Sequence, residues 1–518
     1  MRSVCWRALA ALVTTLAFTH GALAADLPTP ERAAAAPASS AGCASTHEFF
    51  ATDCPLTWHG VTLYGTYDIG LGWVSHGLPE NPYNYEGEAL LTRNANNSQW
   101  LIAPNNLSQT GFGIKVKEEF VDGWYVVGLA STGVNPQSGQ FANMAATNTA
   151  NNGLPRASYS YTGDGARAGQ SFNDELYGGV SSEQFGTLTF GRERALGTDA
   201  VLQYDPAGGA YSFSFIGYNG LTAGGGDTQD TRWDNAVRYR VSVGPIHLGA
   251  MHKFADGSGG CYSATAGWTA ATCTPEQSHN TADGFDLGGT FGNFSADVVY
   301  QQVNQAISVL NPLLGPQSLT QPYQSTVNSI NTNQITGANL VDPANTEYGI
   351  VTDNTAIMVA AKYSWEPFRF YAGYEHIRYV NPSDPLGIGA TAQGGYILSG
   401  VEDNNLDSPK TVHVWWTGVK YAFDSKTDIT ASYYHQQQNT FRVPPTCVPG
   451  NFRASCSGTL EEVSFFVDHH FTRRFDVYAG IAYSDVSGGL AIAIPHGPGV
   501  PYLAKDNVAP TIGGRFTF

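Results

Sequence analysis

The sequence predicts an all-β fold, a 16-stranded antiparallel transmembrane β-barrel with short periplasmic turns and long external loops. Three observations lead there. The first is alternation over long stretches, clearest in VTLYGTYDIGLGW at residues 61–73. Val61, Leu63, Tyr67, Ile69, Leu71 and Trp73 fall on one face; Thr62, Tyr64, Thr66, Asp68 and two glycines fall on the other. Period two with unlike faces marks a strand between two environments. About a dozen residues suits a tilted strand crossing a bilayer. The second observation is that short turns and long loops alternate through the whole chain. The third is an export signal followed by no apolar stretch of about 18 residues, the length a membrane helix needs.

The signal occupies residues 1–24. Arg2 and Arg7 precede an apolar run at 8–18 and the small-residue end Ala22-Leu23-Ala24. Residues 25–59 form an Ala/Pro-rich extension, and residues 60–518 carry the strand pattern. Charged residues are only 13% of the chain, aromatics are 12%, and glycine numbers 59. That balance suits a barrel whose outer face meets lipid. The mean hydropathy of −0.19 is compatible, because alternating strands average to near neutrality. Removing Arg2 and Arg7 leaves 24 basic against 43 acidic residues, a net charge of −19, which argues against a nucleic-acid partner.

The strands follow in order. Strand one, 60–74, leads to a long loop ending near 108. Strands two and three, 110–120 and 124–132, turn at Asp122 and Gly123. Strands four and five, 174–182 and 186–193, turn through 183–185. A long loop at 194–231 follows. Strands six and seven, 232–243 and 245–254, turn at Gly244. Strands eight and nine, 283–291 and 294–303, turn at Gly292 and Asn293. The longest loop, 304–353, is rich in Asn, Gln and Thr. Strands ten and eleven, 355–365 and 368–380, turn at Glu366 and Pro367. Strands twelve and thirteen, 410–423 and 427–438, turn through 424–426. Strands fourteen and fifteen, 459–468 and 474–484, turn around 471–473. Strand sixteen is 508–518. Short turns belong on the periplasmic side and long loops outside.

The expected outward faces are apolar: Trp233, Val237, Tyr239, Val241 and Val243 on strand six, and Ile357, Val359, Ala361, Tyr363 and Trp365 on strand ten. Strand sixteen offers Val508, Pro510, Ile512, Phe516 and Phe518. Phe120, Trp124, Phe185, Trp365, Phe368, Phe423 and Phe475 gather beside the short turns, where an interfacial girdle belongs. Six cysteines remain after export, in local pairs Cys43/Cys54, Cys261/Cys273 and Cys447/Cys456. Proximity suggests these disulfides, although six cysteines allow about 15 connectivities. Each ring of roughly ten residues is worth about 2–3 kcal/mol on the chain-entropy model. The sequence predicts no cofactor and no metal site.

VTLYGTYDIGLGW resembles the first strand of Gram-negative general porins. FGTLTFGRER at 185–194 resembles their segment before the third external loop, and NAVRYR at 235–240 resembles their next strand. GGRFTF ends in Phe518, like the family's assembly signal. The resemblance covers residues 60–518. It implies a homotrimer of 16-stranded barrels in outer-membrane lipid, each a channel for ions and small hydrophilic solutes. It also implies a third loop folded into the lumen as a constriction. Here that loop carries Asp199, Asp205, Asp227 and Asp230, with Gly208, Gly209 and residues 224–226 to bend it. Arg194 and Arg232 flank it. Arg238 and Arg240 share lumen-facing parity with Asp234, as Lys115 and Lys117 do on strand two. Lys362, Arg369, Lys420 and Arg515 have that parity too. Arg192 has the parity of Leu188 and Phe190 and needs a bulge, or its place at the strand end, to face inward. The candidate constriction is Arg192, Arg194, Asp199, Asp205, Arg232, Arg238, Arg240 and Lys115. An acidic loop against a basic wall would orient polar solutes and disfavour apolar ones.

A barrel enzyme needs a nucleophile with its His near the rim. The histidines sit mostly singly on strands and no nucleophile motif accompanies them, so the sequence predicts a non-enzyme. The large Asn/Thr-rich loops leave a solute-specific or adhesive barrel as the alternative.

Overall fold

The computed structural model describes residues 43, 45–76, 98–134, 136, 139, 171–218, 231–255, 261–263, 267–269, 280–310, 347–384, 392–393, 396–402, 406–442, 447, 455–491 and 505–518. The signal at 1–24, most of the 25–59 extension, Asp227, Asp230 and residues 224–226 lie outside the described residues.

Sixteen strands close on themselves. They are β1 (Val61–Val74), β2 (Gly111–Val121), β3 (Trp124–Gly133), β4 (Leu176–Ser182), β5 (Gly186–Arg194), β6 (Arg232–Val243), β7 (Ile246–Lys253) and β8 (Ala282–Phe291). Then come β9 (Phe294–Leu310), β10 (Glu347–Trp365), β11 (Phe368–Val380), β12 (Lys410–Ala422), β13 (Thr427–Gln438), β14 (Gly458–His470), β15 (Phe475–Val486) and β16 (Asp506–Thr517). Each pairs antiparallel with its neighbour in sequence. β16 returns to β1, Thr66 facing Thr517 and Gly72 facing Thr511. Closure leaves the wall no free edge. Phe518 completes the seam by exchanging both backbone hydrogen bonds with Gly65, 2.9 Å each. A Cβ on Gly65 would collide with the Phe518 ring, so glycine makes room for the terminal phenylalanine.

The alternation sorts residues as the sequence implies. Leu63, Tyr67 and Leu71 are exposed on the outer face, and Asp68 on the inner face is fully buried. Ile357, Val359, Tyr363 and Trp365 line the outside of β10. Phe120, Phe185, Trp365, Phe368, Phe423 and Phe475 are all exposed beside the short turns.

Four differences from the sequence reading have local causes. Trp233 points inward and is 2% exposed. The β5–β6 register shifts between Gly191 and Glu193, Asn235 takes a φ of 52°, and the extra residue reverses the alternation beyond it. The strand Gln99–Pro104, expected as loop, pairs with the upper half of β1. β2 pairs only the lower half, from Val61 to Thr66, so this segment supplies the missing ladder bonds. Its Trp100 and Ile102 are exposed. β9 and β10 extend beyond their expected ends, pairing Leu310 with Tyr348 past a bulge at Val303/Ala306. The third loop, read from the sequence only as a loop folded into the lumen, contains two helices, as described below.

Two of the three expected disulfides are present among the described residues, joining Cys43 to Cys54 and Cys447 to Cys456. The third expected pairing, Cys261 with Cys273, falls on Cys273, which lies outside the described residues. What the structure does show there is backbone: Cys261–Ser263 pairs antiparallel with Gly267–Thr269, Cys261 opposite Thr269.

Within the extension, helix α1 (Thr46–Ala51) is capped by Ser45, whose hydroxyl accepts from the Glu48 N–H. Leu56–Trp58 then forms a hairpin with the start of β1. Arg474, at the turn before β15, donates to the Phe49, Thr52 and Cys54 carbonyls. Its guanidinium lies 4.1 Å from the Phe49 ring centroid.

Candidate functional site

The loop after β5 enters the lumen as helix α2 (Leu196–Tyr204) and helix α3 (Phe215–Tyr218). Its base is fastened where the two walls meet: the Ala195 N–H and the Thr198 hydroxyl both donate to the Thr231 carbonyl, each at 3.1 Å. Leu196, Ala200, Val201 and Tyr204 fall at helical spacing and form one apolar side. That side packs against inward residues of the wall, among them Trp233, Met251, Val299, Met358 and Trp416. The lumen lining along β8 to β12 is therefore largely apolar where the helix covers it, with Asp297 and Gln301 of β9 as polar contacts to the helix.

Polar anchors hold the loop across the lumen. Trp416 Nε1–H donates to the Tyr204 carbonyl at 3.0 Å, and the Tyr204 hydroxyl donates to Asp297 at 2.9 Å. Pro206 sits over Gly418, where a Cβ would come within 2.6 Å of its Cγ. Asp205 accepts from the Tyr434 hydroxyl at 2.6 Å and the Gly209 N–H at 2.7 Å. Gly208 and Gly209 take φ values of 67° and 79°, turning the chain after the helix. Phe213 stacks on Phe466 at 4.7 Å between centroids, and Ser464 donates to the Phe213 carbonyl at 2.6 Å.

Two charge clusters face this loop. In the first, Asp199 from the first turn of α2 pairs with both Arg238 and Arg240 of β6. Those arginines stand opposite Thr189 and Thr187 on the inward face. In the second, Asp174 pairs with Arg232 at 2.6 Å and with Arg194 at 2.9 Å. Glu175 lies 3.6 Å from Arg194. The Arg194 carbonyl accepts from Arg238 at 2.9 Å, which joins the clusters. Five of the eight expected residues thus meet: Arg194, Asp199, Arg232, Arg238 and Arg240.

The other three stand elsewhere. Asp205 is 2% exposed and spends its oxygens on the turn and on Tyr434, so it anchors the loop instead of lining open space. Arg192 is opposite Leu176, which faces outward, and its guanidinium closes on the Asn173 carbonyl and on Asp234 at 2.6 Å. The bulge falls beside it without bringing it to Asp199. Lys115 faces the lumen on β2, opposite Thr62, with its ammonium 4.6 Å from the Tyr64 ring centroid. Lys117 sits similarly at 4.8 Å from Tyr125. Both lysines are exposed, so the passage beside the loop is bordered by the β2–β3 wall. Sequence reasoning missed Asp174 and Glu175 as partners. The signal was present for Glu175: it has the parity of the inward Tyr177 on the strand next to Arg194. Of the expected disulfide residues, Cys43, Cys54, Cys447 and Cys456 are bonded as paired in the sequence reading, whereas Cys273 is not described and its pairing with Cys261 stays an expectation.

The closed 16-strand wall, the loop inside it and the apolar outer belt together describe an outer-membrane channel architecture. A sequence model described as Gram-negative porin matches residues 22–489. The chain belongs to the Gram-negative porin family. It is an outer-membrane β-barrel channel protein. No curated protein sequence matches it. Among solved structures, it is similar to an anion-selective porin from Comamonas acidovorans, with TM-score 0.53, 13% identity, 88% of this chain covered and 99% of that one. It is also similar to in-vitro folded OmpT of Vibrio cholerae, with TM-score 0.50, 13% identity and coverages of 90% and 99%. A trimer form of that OmpT gives TM-score 0.50, 14% identity and coverages of 88% and 99%. At these identities the likeness is one of fold.

Proposed function

We propose that the channel passes ions and small hydrophilic solutes by passive diffusion, without covalent chemistry. The constriction is formed by Asp199 with Arg238 and Arg240, and by Asp174 with Arg194 and Arg232. The observation that carries this reading is the loop's position: it reaches from β5 to β14 and narrows the lumen to the side bordered by Lys115 and Lys117. Fixed charges on both sides of the passage favour polar solutes, because an apolar one would desolvate those charges. Residues 1–24 act as the export signal, 25–59 as a periplasmic extension and 60–518 as the pore domain. A Cys261–Cys273 disulfide would close the loop between β7 and β8.

The working unit is a homotrimer. The outer face of β3 and β4 supports this. Gly128 and Gly178 stand opposite each other there, between the pair Val126 and Val180 on one side and Ala130 and Leu176 on the other. A Cβ on either glycine would meet nothing nearer than 3.4 Å, so the barrel's own packing does not require glycine. The glycine pair leaves a notch between exposed Val126, Val180 and Leu176, into which a side chain of another barrel can fit. The test is single-channel conductance with reversal potential in a planar bilayer. Large, weakly selective conductance in threefold steps is expected. Absent conductance from a verified folded barrel overturns the diffusion reading in favour of an adhesive or solute-specific barrel.

A further inference from the structure

We propose that His247, Asp286 and Asp297 form a binding site for a first-row divalent cation of the zinc type, at the foot of the constriction loop. Their spacing along the chain hides the site; the register reveals it. His247 on β7 and Asp297 on β9 are both direct partners of Gly288 on β8. Glycine leaves the centre of that row open, and the two side chains lean across it. A Cβ on Gly288 would collide with Asp297 Oδ1 and fall 2.5 Å from His247 Nε2. Asp286 stands two residues along β8, on the same inward face.

The ligand atoms lie within 4.8 Å of one another, close to the separations an ion would set. His247 Nε2 is 3.1 Å from Asp297 Oδ1 and 3.6 Å from Asp286 Oδ2. A tetrahedral ion with bonds of about 2.0–2.2 Å places its ligands roughly 3.3–3.6 Å apart. Asp286 Oδ1 is buried and has no hydrogen-bond partner among the described residues. Two carboxylates face one imidazole here; Arg240, on the same row as Asp286 across Gly249, is paired with Asp199 instead. An outer partner orients the set: the Tyr204 hydroxyl donates to Asp297 Oδ1, which keeps a second lone pair for the ion. Three adjacent strands supply the ligands, so the site is rigid. The fourth position opens to the lumen, where the Asp286 side chain remains 16% exposed.

One imidazole with two carboxylates suits Zn²⁺ or Co²⁺ better than Mg²⁺ or Ca²⁺. Asp468, His470 and Asp476 form a comparable group on β14 and β15. There Arg515 already bridges both carboxylates, at 3.1 and 2.6 Å, and repels a cation.

The test uses the refolded full chain in detergent, equilibrium dialysis against Zn²⁺, and the visible spectrum with Co²⁺. One Zn²⁺ per chain is expected, undiminished by excess Mg²⁺, with a tetrahedral Co²⁺ spectrum. His247→Asn and Asp286→Asn should each weaken binding at least tenfold while heat-modifiable gel mobility is retained. Absence of saturable binding to the wild-type chain overturns the proposal, as does binding lost on Asp468→Asn but retained in Asp286→Asn. If His247→Asn fails to refold, the wild-type Co²⁺ spectrum decides: octahedral, water-like absorption overturns the site.

Discussion

In the proposed constriction, Asp199 is the residue that joins the loop to the wall. It places one carboxylate between two guanidinium groups that are fixed to the wall. Asp199→Asn keeps the side-chain size and removes the charge, leaving the part-exposed Arg240 uncompensated beside the passage and the buried Arg238 without its carboxylate partner. Two unit charges about 4 Å apart through water interact by about 1 kcal/mol. A few-fold shift of the permeability ratio towards anions is therefore expected, read as reversal potential under a KCl gradient. It should shrink as salt rises, because screening shortens the reach of the field. An unchanged reversal potential would place the selective charges elsewhere. Asp205→Asn should leave the reversal potential nearly unchanged, because that carboxylate is enclosed by its own turn. The contrast marks what the sequence could reveal at this scale. Parity along β6 identified Arg238 and Arg240 as inward. Nothing in the composition of the loop distinguished Asp199, which meets them, from Asp205, which the fold buries.

At the scale of elements, α2 is held by packing on one side and hydrogen bonds at its end. Leu196, Ala200, Val201 and Tyr204 have the spacing of a helix, a signal the sequence held although the loop was read without a helix in it. Its landing place was not legible, because the largely apolar lumen wall of β8 to β12 imitates an outward face when strands are read singly. Tyr434→Phe tests the landing. It leaves Asp205 Oδ1 without its hydroxyl donor in a buried setting, a loss of about 1–3 kcal/mol. The expected outcome is a noisier channel with larger open conductance and an unchanged heat-modifiable band. A quiet trace of wild-type size would show that the apolar side alone fixes the loop. The extension has its own clamp. Arg474 gathers three carbonyls of the α1 segment, so Arg474→Ala should expose the Cys43–Cys54 segment to proteolysis while the barrel stays resistant.

For the whole molecule, alternation and turn spacing specify a closed wall because each strand has only one neighbour on each side to pair with. The register within it depended on details no single strand displays. The bulge at Asn235 turned Trp233 inward, and Gln99–Pro104 paired where β2 stops short. Assembly depends on the outer face in the same way. Around most of the barrel that face carries large side chains such as Phe285, Leu287, Tyr374 and Phe465. On β3 and β4 the pair Gly128 and Gly178 opens a notch among Val126, Leu176 and Val180, and the glycines meet no internal need. Lipid fits either surface, but the notch offers a second barrel a place to interdigitate. Gly178→Trp projects an indole from that face without touching the lumen. The expected result is a monomer by light scattering in detergent, at least a tenfold loss of trimer affinity, and an unchanged β-sheet circular dichroism spectrum. A protein that remains trimeric would move the interface to another part of the wall, since no close barrel contact could accept a tryptophan at the Gly128–Gly178 pair.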